Sequence, residues 1–416
     1  MHKPWVGIMF KGYWKIVVTL LSIMSISVAV RADAGSVGTP SGAIDPDSVI
    51  SKESDEPAKL KLKFEPYGVL WSAAAYESSR TNGGDYAFYV ISPDAEGEAA
   101  FHMDAKSSRL GVRMLGPDIC FLGCGTARGL VEIDFQGSFV TENKPGPLLR
   151  HAYWEIDGES FRILGGQTWD VISPLNPGML MYSVGWGAGN IGYRRAQIRG
   201  EKSFAVDRDI SMVIQASANA DIVSDFPGDG TIVGDHASWP VIEGRVGFNH
   251  PHASLGVSGH VGEQVFDFPP SNPGFDCVCT TWSANFDAVV TLSSRVSVRG
   301  EFFTGSNLGA YLGGILQGMN AARRDHISST GGWAELAAHL SGVFDARIGF
   351  GIDDPDDEDL TAASERTLNR MLFGNLTYSV LKNYVFGIEV SYWNTDFVGL
   401  QSGDALHVAG VTKFSF

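Results

Sequence analysis

From Phe64 onward the chain repeats one pattern to its end: short segments in which apolar side chains alternate with polar or small ones, separated by stretches rich in turn formers. In Arg109–Met114, Leu110, Val112 and Met114 share one parity, and Arg109, Gly111 and Arg113 share the other. In Leu130–Gln136, Val131, Ile133 and Phe135 oppose Glu132, Asp134 and Gln136. Ile210–Asn219 and Phe344–Asp353 read the same way. A two-residue period places successive side chains on opposite faces of an extended chain, so these segments are strands with one apolar face.

Sixteen strands can be drawn, over 64–76, 107–116, 128–141, 147–157, 159–170, 190–200, 208–219, 239–249, 252–262, 280–291, 295–304, 331–341, 343–352, 368–380, 384–395 and 404–416. One apolar face per strand suits two architectures. A soluble sandwich buries that face as its core, whereas a transmembrane barrel turns it to lipid and lines a wet lumen with the other. Three features favour the barrel. Several segments run roughly nine to thirteen residues, longer than the usual five or six of globular sheets. Their connections alternate: 157–159, 249–252, 293–294 and 381–383 are tight, while 171–189, 220–238, 263–279, 305–330 and 353–367 are long. Short turns at one end and long loops at the other are expected of a transmembrane barrel. Finally, the charged residues of the strands share the polar parity, which suits a hydrated interior. The prediction is an all-β fold: a transmembrane antiparallel β-barrel of about sixteen strands over 64–416, with a constriction loop folded into the lumen and a short helix in one long loop.

The composition fits. Hydrophobic residues make up 44% of the chain and mean hydropathy is near zero, unlike a bundle of spanning helices. The one uncharged apolar run of note is Ile16–Val30, preceded by Lys3, Lys11 and Lys15 and followed by Ala32-Asp33-Ala34. That is the layout of a cleaved secretory signal peptide over 1–34. Residues 35–63 read as a flexible polar leader. Removing the four basic residues and one acid of 1–34 takes the net charge from −16 to −19, which disfavours nucleic acid as a partner. Export permits disulfides. Cys120 and Cys124 could close a small loop, while Cys277 and Cys279 have one residue between them. Neither pair has further ligands at zinc spacing, so no metal is expected, and no cofactor either.

Four places disturb the rhythm. The connection 117–127 is eleven residues long where a tight turn is due, and 141–146 is short where a long loop is due. Segment 84–91 is a seventeenth strand or part of the first long loop, and an even strand count favours the loop. Residues 307–324 carry an apolar helical pattern and are expected to form a helix in the sixth long loop.

Five stretches follow one another in order: SRLGVRMLG (108–116), GLVEIDFQGSF (129–139), LLRHAYWEI (148–156), ILGGQTWDVISPLNP (163–177) and RRAQIRGE (194–201). Together they resemble DcaP-like outer-membrane porins and the wider trimeric general porins. The resemblance spans roughly 64–416 and is strongest over 107–201. It implies a sixteen-stranded homotrimeric channel in the bacterial outer membrane for small hydrophilic, often anionic, solutes. It further implies that the loop 171–189 narrows the lumen. The Cys120/Cys124 turn and the acidic loop 353–367 depart from the family pattern.

The expected pore lining follows from parity. Arg109, Arg113, Arg162, Arg195 and Arg199 form a basic wall, with Glu132, Asp134 and Asp170 as lumenal acids. Arginine walls favour anions, and guanidinium pairs well with carboxylates because its donors form a fork. Alternatively Glu132 and Asp134 neutralise Arg109 and Arg113, leaving a salt-bridged lining without a solute role. Arg194 has the opposite parity and is expected near a barrel end, and parity does not place Arg150. Other motifs carry less. Gly187-x-Gly189-x-x-Gly192 lacks the βαβ surroundings of a dinucleotide site. Asp354, Asp356 and Asp357 sit in a charge block that usually stays hydrated. His250 and His252 lack a third ligand. The leading expectation is a passive channel rather than an enzyme. Its rivals are an outer-membrane barrel hydrolase and an exported soluble β-sandwich that binds carbohydrate. In the last strand, Phe414 and Phe416 fall where an aromatic girdle at the periplasmic interface is expected. By resemblance, Phe416 is also a signal for the barrel-assembly machinery.

Overall fold

The alternation in sequence closes on itself in space. The computed structural model describes residues 62–120, 123–137, 145–222, 233–235, 237–267 and 277–416. The expected signal peptide, nearly all of the leader and most of the connection 141–146 lie outside them. Sixteen long strands follow the predicted order: β1 (Lys63–Glu77), β2 (Arg109–Cys120), β3 (Cys124–Asp134), β4 (Leu148–Gly158), β5 (Phe161–Trp169), β6 (Arg194–Ala205), β7 (Ser211–Asn219), β8 (Val241–His250), β9 (Ala253–Asp267), β10 (Cys277–Ser293), β11 (Val296–Ser306), β12 (Ser328–His339), β13 (Phe344–Pro355), β14 (Arg366–Leu381), β15 (Tyr384–Phe397) and β16 (Gly403–Ser415). Each is antiparallel to its neighbours, and β1 closes the ring by pairing with β16 from Val69↔Ser415 to Glu77↔His407. On its other side β1 pairs with β2 and then with a short strand, Ala100–Asp104. A second short strand, Val233–Asp235, pairs with β9.

Closure satisfies every strand edge internally, which is what a sheet needs to cross hydrocarbon. The outward parity is apolar and bare: Ile198 is 71% exposed, and Trp154, Val257, Phe302, Ile348, Leu372 and Ile388 are exposed as well. A continuous apolar belt of this kind is a surface for lipid, since soluble monomers rarely expose one.

Two connections differ from expectation. The stretch 117–127 is no loop. The β2–β3 hairpin runs on through it, and Cys120 and Cys124 face each other across the turn as a disulfide. Strand propensity misleads there because Gly116, Pro117, Gly123 and Gly125 read as turn formers. A register shift between Leu115 and Asp118 absorbs the proline instead, as bulges do. The stretch 307–324 is not a helix. It forms two 3₁₀ turns, Gly309–Tyr311 and Gly314–Leu316, and a short strand pair, Met319–Asn320 with Asp325–His326. Gly309, Gly313, Gly314 and Gly318 recur too often for a helix, each costing about 1 kcal/mol relative to Ala. Asn307, Leu312, Ile315 and Leu316 adopt left-handed backbone instead. Leu308, Tyr311, Leu312, Ile315 and Leu316 are all buried, so packing decided the conformation.

Three loops from the long-loop end fold inward and meet. Segment 84–91 makes no barrel strand; it lies within the first loop, with Tyr86, Ala87, Phe88, Tyr89 and Val90 buried. They pack with Met179, Met181, Trp186 and Ala188 of the third loop and with Leu312, Ile315 and Leu316 of the sixth. The wall adds Met371, Phe373, Trp393 and Ala405 from β14, β15 and β16. Glycines in the wall permit this approach. A Cβ on Gly351 of β13 would stand 2.1 Å from the Ala188 carbonyl oxygen, nearer than any real Cβ contact.

Candidate functional site

The lumen is built where the third loop leaves the wall. Beyond Gln167, β5 loses its partner β4 and continues paired only to β6. Asp170 then ties the neck of the loop: its backbone N–H donates to the Tyr193 carbonyl, and its carboxylate accepts from the Tyr193 N–H at 2.9 Å. The same carboxylate stands 2.8 Å from Arg195 Nε, and both side chains are almost fully buried. Arg195 also donates to the Ala310 carbonyl and lies 3.9 Å over the Tyr311 ring. It thereby joins the third loop to the sixth.

From this neck the loop runs past successive strands, each of which presents one carboxylate to a loop amide. Glu243 of β8 accepts from Val171 N–H at 2.8 Å, and Glu301 of β11 from Leu175 N–H at 2.7 Å. Glu335 of β12 accepts from Gly178 N–H at 2.5 Å, and Glu389 of β15 from Leu180 N–H at 2.7 Å. In the sixth loop, Ile315 N–H donates to Asp353 of β13 at 3.0 Å. Each bond satisfies a loop amide and a buried carboxyl oxygen that would otherwise be left unpaired away from water. The inward acids of this side therefore act as clips for the loops.

On the opposite side, β2 to β6, the balance is basic. Arg150 of β4 is buried and bridges both predicted acids of β3, donating to Glu132 at 2.7 Å and to Asp134 at 2.7 Å. Glu132 also accepts from Tyr67. The charges of Arg150, Glu132, Asp134 and Arg194 all act on Arg109, so Arg109, Arg150 and Arg194 share one neighbourhood with the two acids that Arg150 bridges. Arg194 is 3% exposed and lies 4.6 Å over each of the Trp169 and Tyr193 rings. None of its three guanidinium nitrogens meets an acceptor among the described residues, and neither does Arg109 Nε or the Tyr182 hydroxyl. On the adjoining wall Lys413 of β16 sits 3.6 Å over the ring of its register partner Trp71, which Arg109 also overlies at 5.9 Å. The charges of Arg109 and Arg347 act on Lys413 in turn, and Arg347 Nε too lacks an acceptor among the described residues.

The predicted basic wall is thus distributed. Arg109 joins the cluster. Arg113 is exposed toward the tight-turn end and stacks 3.8 Å over Tyr67. Arg162 donates to Glu155 at 2.6 Å and lies 3.5 Å from Glu201. Arg199 bonds Gln197 at 2.8 Å and the Trp169 carbonyl, with Glu201 at 3.4 Å. Glu132 and Asp134 pair with Arg150, not with Arg109 and Arg113. Parity fails for Arg150 because the β3–β4 register shifts between Glu132 and Ile133; a bulge re-aims one side chain. Arg194, the first residue of β6, is buried against the Trp169 and Tyr193 rings where β5 and β6 pair beyond the end of β4. Arg347 and Lys413 are visible in the alternation as polar-face cations, but nothing in the pattern singles them out as site residues.

Comparison with known structures agrees with this architecture. The outer membrane channel DcaP of Acinetobacter baumannii aligns with 85% of this chain and 97% of its own, at a TM-score of 0.69 and 17% identity. An anion-selective porin from Comamonas acidovorans aligns with 86% of this chain and 100% of its own, at 0.55 and 12%. OmpF of Salmonella typhi aligns with 85% and 97%, at 0.55 and 11%. No protein-family profile and no curated protein sequence matches the chain. At these identities the likeness establishes the fold: a sixteen-stranded barrel of the kind found in outer-membrane channels and porins.

Proposed function

We propose that the chain forms a passive channel in a bacterial outer membrane for small hydrophilic solutes, with a preference for anions such as carboxylates. The observation that carries this reading is the shared neighbourhood of Arg109, Arg150 and Arg194, in which buried guanidinium nitrogens of Arg109 and Arg194 meet no acceptor among the described residues. A buried cation without a partner is costly, and a passing or bound anion relieves that cost. The stacked rings of Trp169 and Tyr193 hold Arg194 in place without using its donors. The names of two similar structures, an outer membrane channel and an anion-selective porin, support the same class.

Homotrimeric assembly is part of the proposal. The outward face of β3 to β8 is unusually small in side chain: Ala127, Gly129, Ala152, Gly165, Ala196, Gly200, Ala216 and Ala218 share it. Small residues let backbones approach, as at other intramembrane contacts. The tight turns and Phe416 are placed in the periplasm, with Phe416 available to the assembly machinery. Against a barrel hydrolase stands the use of the wall carboxylates: they clip loop amides. His260, bonded to Ser283 and Thr281, is sealed beneath the Tyr311 ring.

Planar-bilayer recordings with reversal potentials in a salt gradient test the reading. Stepwise conductance in threes and an anion-selective reversal potential are expected. Folded protein that conducts nothing would sink it.

A further inference from the structure

Two rows of inward side chains near the tight turns bound a groove of about 270 Å³ on the lumen wall. The first row crosses β1 to β4 as Glu65, Arg113, Leu130 and Tyr153. The second crosses β2 to β4 as Leu115, Arg128 and Glu155. Both rows have the parity of Glu132, the acid that Arg150 holds inside the barrel. The inner face of a barrel is normally polar. Here Leu115, Leu130 and Tyr153 stand on it, and Leu115 is 42% exposed.

The charges around the groove are matched, with one exception. Glu65 is held by Lys63 at 2.5 Å, Arg128 by Asp157 at 2.6 Å and Glu155 by Arg162 at 2.6 Å. Arg113 has no hydrogen-bonded or ion-paired carboxylate among the described residues; its guanidinium lies 3.8 Å over the Tyr67 ring instead. That ring is fixed at both ends. It lies against Gly111, where a Cβ would stand 2.5 Å from the nearest ring atom, and its hydroxyl donates to Glu132 at 2.8 Å. A guanidinium placed by its face keeps its edge donors for an anion. The groove is slightly smaller than the roughly 300–1,000 Å³ of pockets that take drug-sized ligands, so it suits a body of one ring or a short chain.

We propose that this groove is a solute site for a monocarboxylate with an apolar body of that size. The carboxylate pairs with Arg113, and the body lies against Leu115, Leu130 and Tyr153. Its place on the solute path rests on the channel reading above. A second carboxylate gains nothing there: Glu65 and Glu155 border the groove, and its other cation, Arg128, is already paired with Asp157.

The test titrates folded protein in detergent with benzoate, acetate and succinate by calorimetry, and measures block of the chloride current by the same anions in planar bilayers. Benzoate is expected to bind about tenfold more tightly than acetate, the gain from covering a ring. Arg113→Gln should weaken both by about tenfold or more, the loss of a charge-assisted bond. Leu130→Ser should weaken benzoate about fivefold more than it weakens acetate, which a bare surface charge would not produce. Benzoate that binds no more tightly than acetate, or equally well to Arg113→Gln, overturns the site. Succinate that binds more tightly than benzoate overturns the monocarboxylate assignment. Folded protein that binds benzoate and passes no current removes the channel reading and leaves the groove. Current without benzoate binding removes the groove and leaves the channel.

Discussion

The two sides of the lumen use the same alphabet to opposite ends. On β8 to β15, Glu243, Glu301, Glu335, Asp353 and Glu389 each accept from a loop amide. On β2 to β6, Arg109 and Arg194 keep donors that no acceptor among the described residues meets. Arg109 points inward by the same alternation as the acids, whereas Arg194, of the opposite parity, is buried against the Trp169 and Tyr193 rings. The difference is that the third loop lies against the acidic side and has backbone donors to offer, whereas the basic side faces the loop's aromatic rings, which engage a guanidinium by its face. A charge is structural where a partner of opposite polarity is delivered to it and keeps unused donors where none is.

The largest effect should come from breaking the joint between the two sides. Asp170→Ala leaves Arg195 buried without its counter-ion and should cost about 3–5 kcal/mol. This is read as a lower unfolding temperature in detergent. Pairing the change with Arg195→Met should restore part of the loss, because two neutral side chains no longer leave a lone charge. If the single variant is as stable as wild type, the buried pair does not hold the neck.

Next in size is the acidic side. Glu335→Gln weakens the bond to Gly178 N–H and loosens Arg299, now 2.5 Å from the carboxylate. A loss of about 1–3 kcal/mol is expected, together with noisier conductance as the third loop detaches. Selectivity should change less than noise, since no unpaired cation of the basic side is touched.

The smallest energies concern selectivity itself. Arg194→Ala and Arg109→Ala should each lower the anion-to-cation permeability ratio, by an amount on the order of 1 kcal/mol for a unit charge a few ångströms from a solvated ion. Arg162→Ala and Arg199→Ala should leave the ratio near wild type, because those guanidinium groups are already engaged by Glu155, Glu201 and the Trp169 carbonyl. Equal effects from all four would erase the distinction between engaged and available arginines.

Much of the barrel is legible in the alternation of side chains. Val131 and Ile133 oppose Glu132 and Asp134, and the two acids are buried while Val131 is exposed on the outer face. Each of the sixteen expected strands overlaps an observed one, though the third ends at Asp134 rather than 141 and the second and sixth run on beyond their expected ends. The partners are not legible. Arg150 carries the bridge to Glu132 and Asp134, and a one-residue bulge hides it. Arg195 and Arg194 are adjacent in sequence, yet one is locked to Asp170 and the other keeps its donors, and no local pattern separates them. The helix expected over 307–324 fails for a related reason: its apolar residues satisfy packing from three loops at once.

What the sequence alone determined is the barrel: strand number, facing of most side chains, and which connections are long. A strand's two faces are fixed by stereochemistry one residue at a time, so no distant contact is needed to know them. What only the tertiary structure decided is which inward charges are spent on the protein itself. That depends on where the first, third and sixth loops come to rest inside the ring, and their resting places are set by long-range packing and by hydrogen bonds between residues far apart in the chain, as between Gly178 and Glu335.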